Sequence, residues 1–215
     1  MNILDKVFYI FPYFFLGHLF GDYVIQTNYI AAYKGKSLKV LTLHILLVFC
    51  SQTIFLLGKG FALKELLVVI ALSLTHFSID LVKFLCKKTF CKKWYYYLFD
   101  QFLHIITLVI ASTYFSNVQP FLNRTLAVVL AVSIFNGYFL SILVHFLISN
   151  GIYKRDYLGY FLRMSAPVFY IANIYLFIIY VLFCLLLIVQ KSKESYILNY
   201  ILTVISTVVL MEVML

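Results

Sequence analysis

The stretch Val7-Phe8-Tyr9-Ile10-Phe11-Pro12-Tyr13-Phe14-Phe15-Leu16-Gly17-His18-Leu19-Phe20-Gly21-Asp22-Tyr23-Val24-Ile25-Gln26 decides how this chain is read. It is apolar over the roughly 20 residues that a helix needs to cross a bilayer. Inside it, a histidine and an aspartate stand four residues apart. On a helix those two positions lie one above the other on a single face. Ionisable groups are costly in hydrocarbon, and those found in membrane helices mark sites with a function.

The same spacing recurs in two later apolar runs, at His76 with Asp80 and at Asp100 with His104, and a lone His44 lies in a fourth. Four of the five histidines and three of the eight acids are thus set in apolar surroundings. The whole chain agrees with that setting. Of its 215 residues 64% are hydrophobic and 12% charged, with a mean hydropathy of +1.01, far from the roughly half-apolar usage of soluble domains. The formal charge of +9 comes from lysines and arginines in short spacers, where they orient helices and meet anionic headgroups. The basicity therefore belongs to topology, and nucleic acid is not an expected partner.

Hydropathy predicts an all-α, polytopic transmembrane bundle of about seven helices in one membrane domain, residues 1–215. The expected spans are Val7 to Ala31, Leu38 to Leu57, Phe61 to Leu85, Trp94 to Phe115, Thr125 to Ser149, Pro167 to Val189 and Tyr196 to Leu215. The polar site falls in helices one to four, residues 7–115, and helices five to seven, residues 124–215, support it. Pro12 is expected in the first turns of helix one and Pro167 at the opening of helix six, where a missing N–H is tolerated best. The spacer from Asn150 to Ala166 is expected to hold a short interfacial helix through Tyr157, Phe161 and Leu162. The first run shows no small-residue cleavage site and is read as a retained helix.

Alternate spacers divide the 17 lysines and arginines into eleven and six, with Lys34, Lys83, Lys87, Lys154 and Arg155 on the richer side. The positive-inside rule puts that side in the cytoplasm of a bacterial inner membrane and the N-terminus outside. Helices one and three carry their polar pairs late, and helices two and four carry theirs early. In an antiparallel bundle this reversal brings every pair into the same leaflet, roughly 8 to 20 Å from the helix ends at 1.5 Å per residue. Convergence needs only that the helices alternate.

Imidazoles and carboxylates together suit a divalent ion, zinc first and manganese or ferrous iron next, because no thiolate lies nearby to favour a softer metal. The candidate ligands are His18, His44, His76, Asp80, Asp100 and His104, with Asp22 and Asp100 as catalytic acids or bases and Gln26 and Gln101 as orienting groups. Gln26 extends the His18 and Asp22 stripe by a further turn. These groups exceed one tetrahedral site, so the surplus either forms a second metal site or orients the ligands through their free ring N–H groups. Elsewhere Gln52, Asn136, Ser141 and Asn173 are expected to hydrogen-bond between helices, and His145, which has no paired acid, to be structural. Cys86 and Cys91 flank a lysine pair and are expected to be reduced thiols in a cytosolic loop.

The run from Gly17-His18 through Asp22-Tyr23 to Gln26, then His44, His76-Phe77-Ser78-Ile79-Asp80 and Asp100-Gln101-Phe102-Leu103-His104, resembles a family of bacterial multi-pass membrane proteins classed only as a domain of unknown function. The resemblance covers about the first half of the chain. It implies an integral membrane location and supplies no reaction. Asn150-Gly151 and Leu158-Gly159-Tyr160-Phe161-Leu162-Arg163 are only loosely similar to a stretch of that family, whose glutamate is absent here.

The expected function is a membrane-embedded, metal-dependent hydrolase acting on an amphipathic or lipid-linked substrate from the cytoplasmic leaflet, its ion activating water. No His-Glu-x-x-His, Gly-x-Ser-x-Gly or Walker signature narrows the reaction. A cation or proton transporter using the same cluster is the alternative, although only helix one, at Gly17 and Gly21, shows the interruption expected of such a protein. A noncatalytic membrane partner whose polar network fixes helix packing is the third reading, and a membrane protein or a second copy of the chain is the expected kind of partner.

Overall fold

The apolar runs fold as helices. The structure, a computed structural model, describes residues 3–86, 88–115, 118–148, 156–191 and 194–215. In chain order the helices are α1 (Ile3–Leu19), α2 (Asn28–Tyr33), α3 (Leu38–Leu56), α4 (Leu63–Leu85), α5 (Trp94–Ser112), α6 (Arg124–Ile134), α7 (Leu140–Ile148), α8 (Tyr157–Ala172), α9 (Ile174–Lys191) and α10 (Glu194–Met214). A π turn, Phe20–Val24, continues α1, and a second, Phe135–Phe139, joins α6 to α7. One short antiparallel bridge pairs β1 (Gly58–Lys59) with β2 (Gln119–Pro120). The chain divides into two compact units, Met1–Ala127 and Val128–Leu215.

In the first unit, α1 packs against α3 and α5, and α4 packs against the same two helices, so the four close into a ring. Phe14, Leu16, Leu41, Val48, Leu56, Val69 and Leu108 fill its interior. The outward faces are also apolar, with Leu46, Leu67, Leu74, Phe102 and Ile110 exposed. A helix at a water-facing surface would be polar there, so these faces suit lipid. Gly17 and Gly21 let α1 lie directly on α3. A Cβ at Gly17 would stand 2.8 Å from the Cα of Gln52, and one at Gly21 would stand 2.8 Å from the Cα of Val48. Ser51 adds a hydrogen bond across the same seam, donating to the Gly17 carbonyl at 2.7 Å.

In the second unit, α8 and α9 pack through Ala166, Phe177, Tyr180 and Cys184, and α10 lies against α7, α8 and α9. Asn136, in the second π turn, donates to Thr207 Oγ1 at 2.8 Å and accepts from Ser206 at 2.6 Å, the interhelical role expected of it. Ser141 instead bonds the Gly137 carbonyl of its own helical segment, and Asn173 caps the start of α9 by accepting from the Tyr175 amide at 2.8 Å. Gln52 departs further from expectation, since both its side-chain polar atoms are buried with no hydrogen-bond partner among the described residues.

The all-α bundle is as expected, but several boundaries move. Among the described residues, four helices are long and apolar enough to cross a membrane: Leu38–Leu56, Leu63–Leu85, Arg124–Ile148 and Ser195–Met214, where about seven spans were expected. Helix one ends early. Its π turn closes with the Ile25 amide donating to the Phe20 carbonyl, five residues back, and Thr27 then caps the separate α2 by accepting from the Ile30 amide at 3.3 Å. Expected helix six splits into α8 and α9 at Asn173, and Pro167 lies inside α8. Asp156 caps that helix eleven residues before Pro167, accepting from the Gly159 amide at 3.1 Å, so the start is set by the cap and not by the proline. Tyr157 and Phe161 are exposed on α8, which runs through Pro167 to Ala172 and so is not the short separate helix expected in the spacer, while Asn150, Gly151, Lys154 and Arg155 lie outside the described residues, as do Lys87 and Lys193. Cys86 and Cys91 are not free thiols; a disulfide joins them, with Cα atoms 6.4 Å apart.

Candidate metal centre

Each wall of the four-helix ring contributes to one polar cluster. His18 comes from the last turn of α1 and Asp22 from the π turn after it, His44 from the second turn of α3, His76 and Asp80 from the C-terminal half of α4, and Asp100 and His104 from the middle turns of α5. All seven are 7% exposed or less. The rings of His18, His76 and His104 lie 4.1 to 5.2 Å apart, centre to centre, and that of His44 lies 5.6 Å from that of His76. The alternating helices thus bring the polar pairs to one level.

The ligand atoms face one another. His44 Nε2 stands 3.3 Å from Asp22 Oδ1 and 3.4 Å from Asp80 Oδ2, and His76 Nε2 stands 3.7 and 3.6 Å from the same two oxygens. His104 Nε2 is 3.6 Å from Asp80 Oδ1 and 3.9 Å from Asp100 Oδ1, while His18 Nε2 is 3.8 Å from Asp22 Oδ2. Asp22 Oδ1, Asp80 Oδ2 and the Nε2 atoms of His18, His76 and His104 are buried and have no hydrogen-bond partner among the described residues. Each such atom costs about 1–3 kcal/mol unless something meets it. Lone pairs of carboxylates and neutral imidazoles turned toward one another are relieved by a cation between them.

The separations fit that cation. Ligand distances of 2.0 to 2.2 Å around tetrahedral zinc put neighbouring ligand atoms about 3.3 to 3.6 Å apart. The four nitrogen-to-oxygen separations between His44 or His76 and Asp22 or Asp80, 3.3 to 3.7 Å, come within a few tenths of an ångström of that spacing. The residues also group as three overlapping trios, His18 with Asp22 and His76, His44 with His76 and Asp80, and Asp80 with Asp100 and His104, each with ligand atoms within 4.8 Å of one another.

The orienting groups are partly those expected. Tyr23 donates to Gln101 Oε1 at 3.2 Å, and Gln101 Nε2 approaches Asp100 Oδ2 at 3.4 Å, where Lys83 Nζ also donates at 2.6 Å. Asp100 is thereby held by one oxygen while the other faces His104. Gln26 lies beyond the π turn in the link to α2, so the stripe on helix one ends at Asp22, and its buried Oε1 meets no donor among the described residues. His145 belongs to α7 in the other unit, with Phe146 its ring neighbour at 6.3 Å. Tyr23 stands out by nothing in the apolar pattern, and in the sequence Lys34 and Lys83 read only as topology signals. Lys34 Nζ donates to His44 Nε2 at 3.1 Å. Lys83 sits one helical turn past Asp80, a spacing that could have placed it beside the site. Replacing Lys83 by methionine is expected to lower the melting temperature by the equivalent of about 1.5–3 kcal/mol, because Asp100 loses its charge-assisted bond while staying buried; a thermal-shift measurement in detergent checks this.

A helical bundle with membrane-length apolar helices and a buried His/Asp cluster is the class of protein that fold and site define. Residues 10–133 match the model of a family described as "Protein of unknown function (DUF3307)", and the chain belongs to that family. The match covers every residue of the cluster. No curated protein and no solved structure matches the chain.

Proposed function

We propose that the protein is a metal-dependent hydrolase embedded in the bacterial inner membrane as a multi-pass protein, acting on an amphipathic or lipid-linked substrate from one leaflet. The observation that carries this reading is the set of buried, facing nitrogen and oxygen atoms at 3.3 to 3.7 Å on His44, His76, Asp22 and Asp80, a spacing that suits zinc first, then manganese or ferrous iron. Such an ion would lower the pKa of a bound water and polarise the scissile group at a position its protein ligands leave open. Asp22 keeps Oδ2 toward His18, so that pair can receive the water's proton, while Lys83 and Gln101 hold Asp100 in place. The lysine-rich side is taken as cytoplasmic. The Cys86–Cys91 disulfide on that side favours an oxidising compartment. Charge outweighs it, since many cations act on insertion whereas one short-loop disulfide follows the redox conditions.

Elemental analysis of the purified chain beside His76→Ala and Asp100→Ala is the test. Bound transition metal in the wild type, reduced in both variants, is expected. A folded wild type that retains none after zinc loading would sink the metal reading. Transport is the second reading, and one observation favours it: both units carry a glycine-bearing π turn, Phe20–Val24 and Phe135–Phe139, where the sequence showed an interruption only in the first. Saturable uptake of the ion into proteoliposomes, lost in both variants, would overturn hydrolysis in its favour.

A further inference from the structure

The oxygens of Asp80 do not face the same partners. Oδ2 looks toward His44 and His76, and Oδ1 toward His104, itself opposite Asp100 Oδ1. A carboxylate divided in this way is the form of a bridge between two ions. The first set, His44, His76, Asp22 and Asp80, offers four ligand atoms. The second, His104, Asp100 and the other oxygen of Asp80, offers three and keeps a position open, the arrangement of catalytic zinc sites.

Charge says what the open position takes. Three carboxylates against the ammonium groups of Lys34 and Lys83 leave one net negative charge among the cluster and its contacts. One divalent ion turns that to one positive charge, and a second to three. So much positive charge, walled by apolar helices, calls for a multiply charged anion. Two ions about 3.5–4 Å apart present a clamp for a phosphoryl group. Lys34 adds a further reason. Its ammonium donates to His44 Nε2, the nitrogen that the first set gives to an ion, so metal loading displaces it. Lys34 is half-buried on the turn after α2, where a released ammonium can meet the anion instead.

Resting on the metal-dependent reading, we infer that the cluster is a two-ion centre bridged by Asp80 whose substrate is a phosphate ester, with Lys34 as a phosphate-contacting residue. In the reaction, water oxygen bonds to phosphorus as the P–O bond to the alcohol breaks. One water proton passes by way of the His18–Asp22 pair to the departing alkoxide, and the products are the alcohol and a phosphate.

The experiment loads the full chain in detergent with zinc, counts metal by elemental analysis, and titrates inorganic phosphate. Two zinc ions per chain are expected in the wild type and one in Asp100→Asn, whose retained ion also shows that the bundle is folded. Lys34→Met is expected to keep both ions and bind phosphate about tenfold more weakly, the worth of one charge-assisted hydrogen bond. A wild type with one zinc per chain would overturn the second ion and leave the metal-dependent reading standing. Two ions with no phosphate binding, or with binding unchanged in Lys34→Met, would overturn the phosphate assignment. A wild type with no zinc removes the inference together with the reading beneath it.

Discussion

Replacing Asp80 by asparagine is expected to weaken zinc binding by more than about 100-fold. Changes to groups that merely orient a ligand cost 10- to 100-fold in metal affinity, and Asp80 stands closer than that. Its two oxygens approach three of the four clustered imidazoles, at 3.4 Å for His44 and 3.6 Å for both His76 and His104. Asparagine keeps the volume, removes the charge and replaces one oxygen with an amide nitrogen that cannot ligate. A chelator competition titration reads the loss directly. Stability offers a second reading, because an ion that binds only the folded chain stabilises it by about 2.7 kcal/mol at 100 times its dissociation constant. The wild type should therefore melt higher with added zinc, and Asp80→Asn should not respond. Asp5→Asn makes the same change of charge on an exposed acid of α1 and should behave as the wild type. An Asp80→Asn protein that still binds zinc at wild-type strength would remove Asp80 from the ligand set, and with it both the four-ligand site and the bridge.

The convergence of the cluster was legible in the sequence because helical spacing and antiparallel alternation are geometric rules that neighbouring side chains do not alter. His18 and Asp22 late in one helix and Asp100 and His104 early in another could meet only at one level. The end of helix one was not legible. Continuing a regular helix through Asp22 to Gln26 assumes that each amide bonds four residues back, whereas the Ile25 amide bonds five back, and nothing in the apolar pattern signals that change. The break at Asn173 was hidden for a similar reason: the residues on both sides are apolar, and a single capping amide divides them. Lys34 and Lys83 show another limit. Hydropathy treats a lysine as a marker of the water side, but its long apolar stem lets the ammonium reach back to a buried partner, as Lys83 does to Asp100. Which lysines do so depends on the helix face and on the turn geometry after α2, and those are known only once the bundle is closed.

Gly17→Ala and Gly21→Ala should each disturb the site without touching a ligand. A helix interior ordinarily gains about 0.5–1 kcal/mol when alanine replaces glycine. Here the added methyl would stand 2.8 Å from a backbone Cα of α3, at Gln52 for one and at Val48 for the other. A backbone atom cannot swing aside as a side-chain tip can. The helices must separate, and overpacking of this kind costs about 1–3 kcal/mol, which exceeds the gain in helix propensity. The Ser51 bond to the Gly17 carbonyl, at 2.7 Å, would stretch with them. His18 follows Gly17 directly and Asp22 follows Gly21, while His44 lies one turn from Val48 on the opposite helix, so a shift along this seam is a shift between ligands. Both variants should melt lower than the wild type, and the double variant should lose zinc affinity by about tenfold or more. Gly35→Ala supplies the contrast, since a Cβ there would meet nothing within 4 Å, and it should leave melting and zinc content unchanged. If Gly17→Ala and Gly21→Ala instead match the wild type in both measurements, the contact between α1 and α3 does not set the distance between His18, Asp22 and His44.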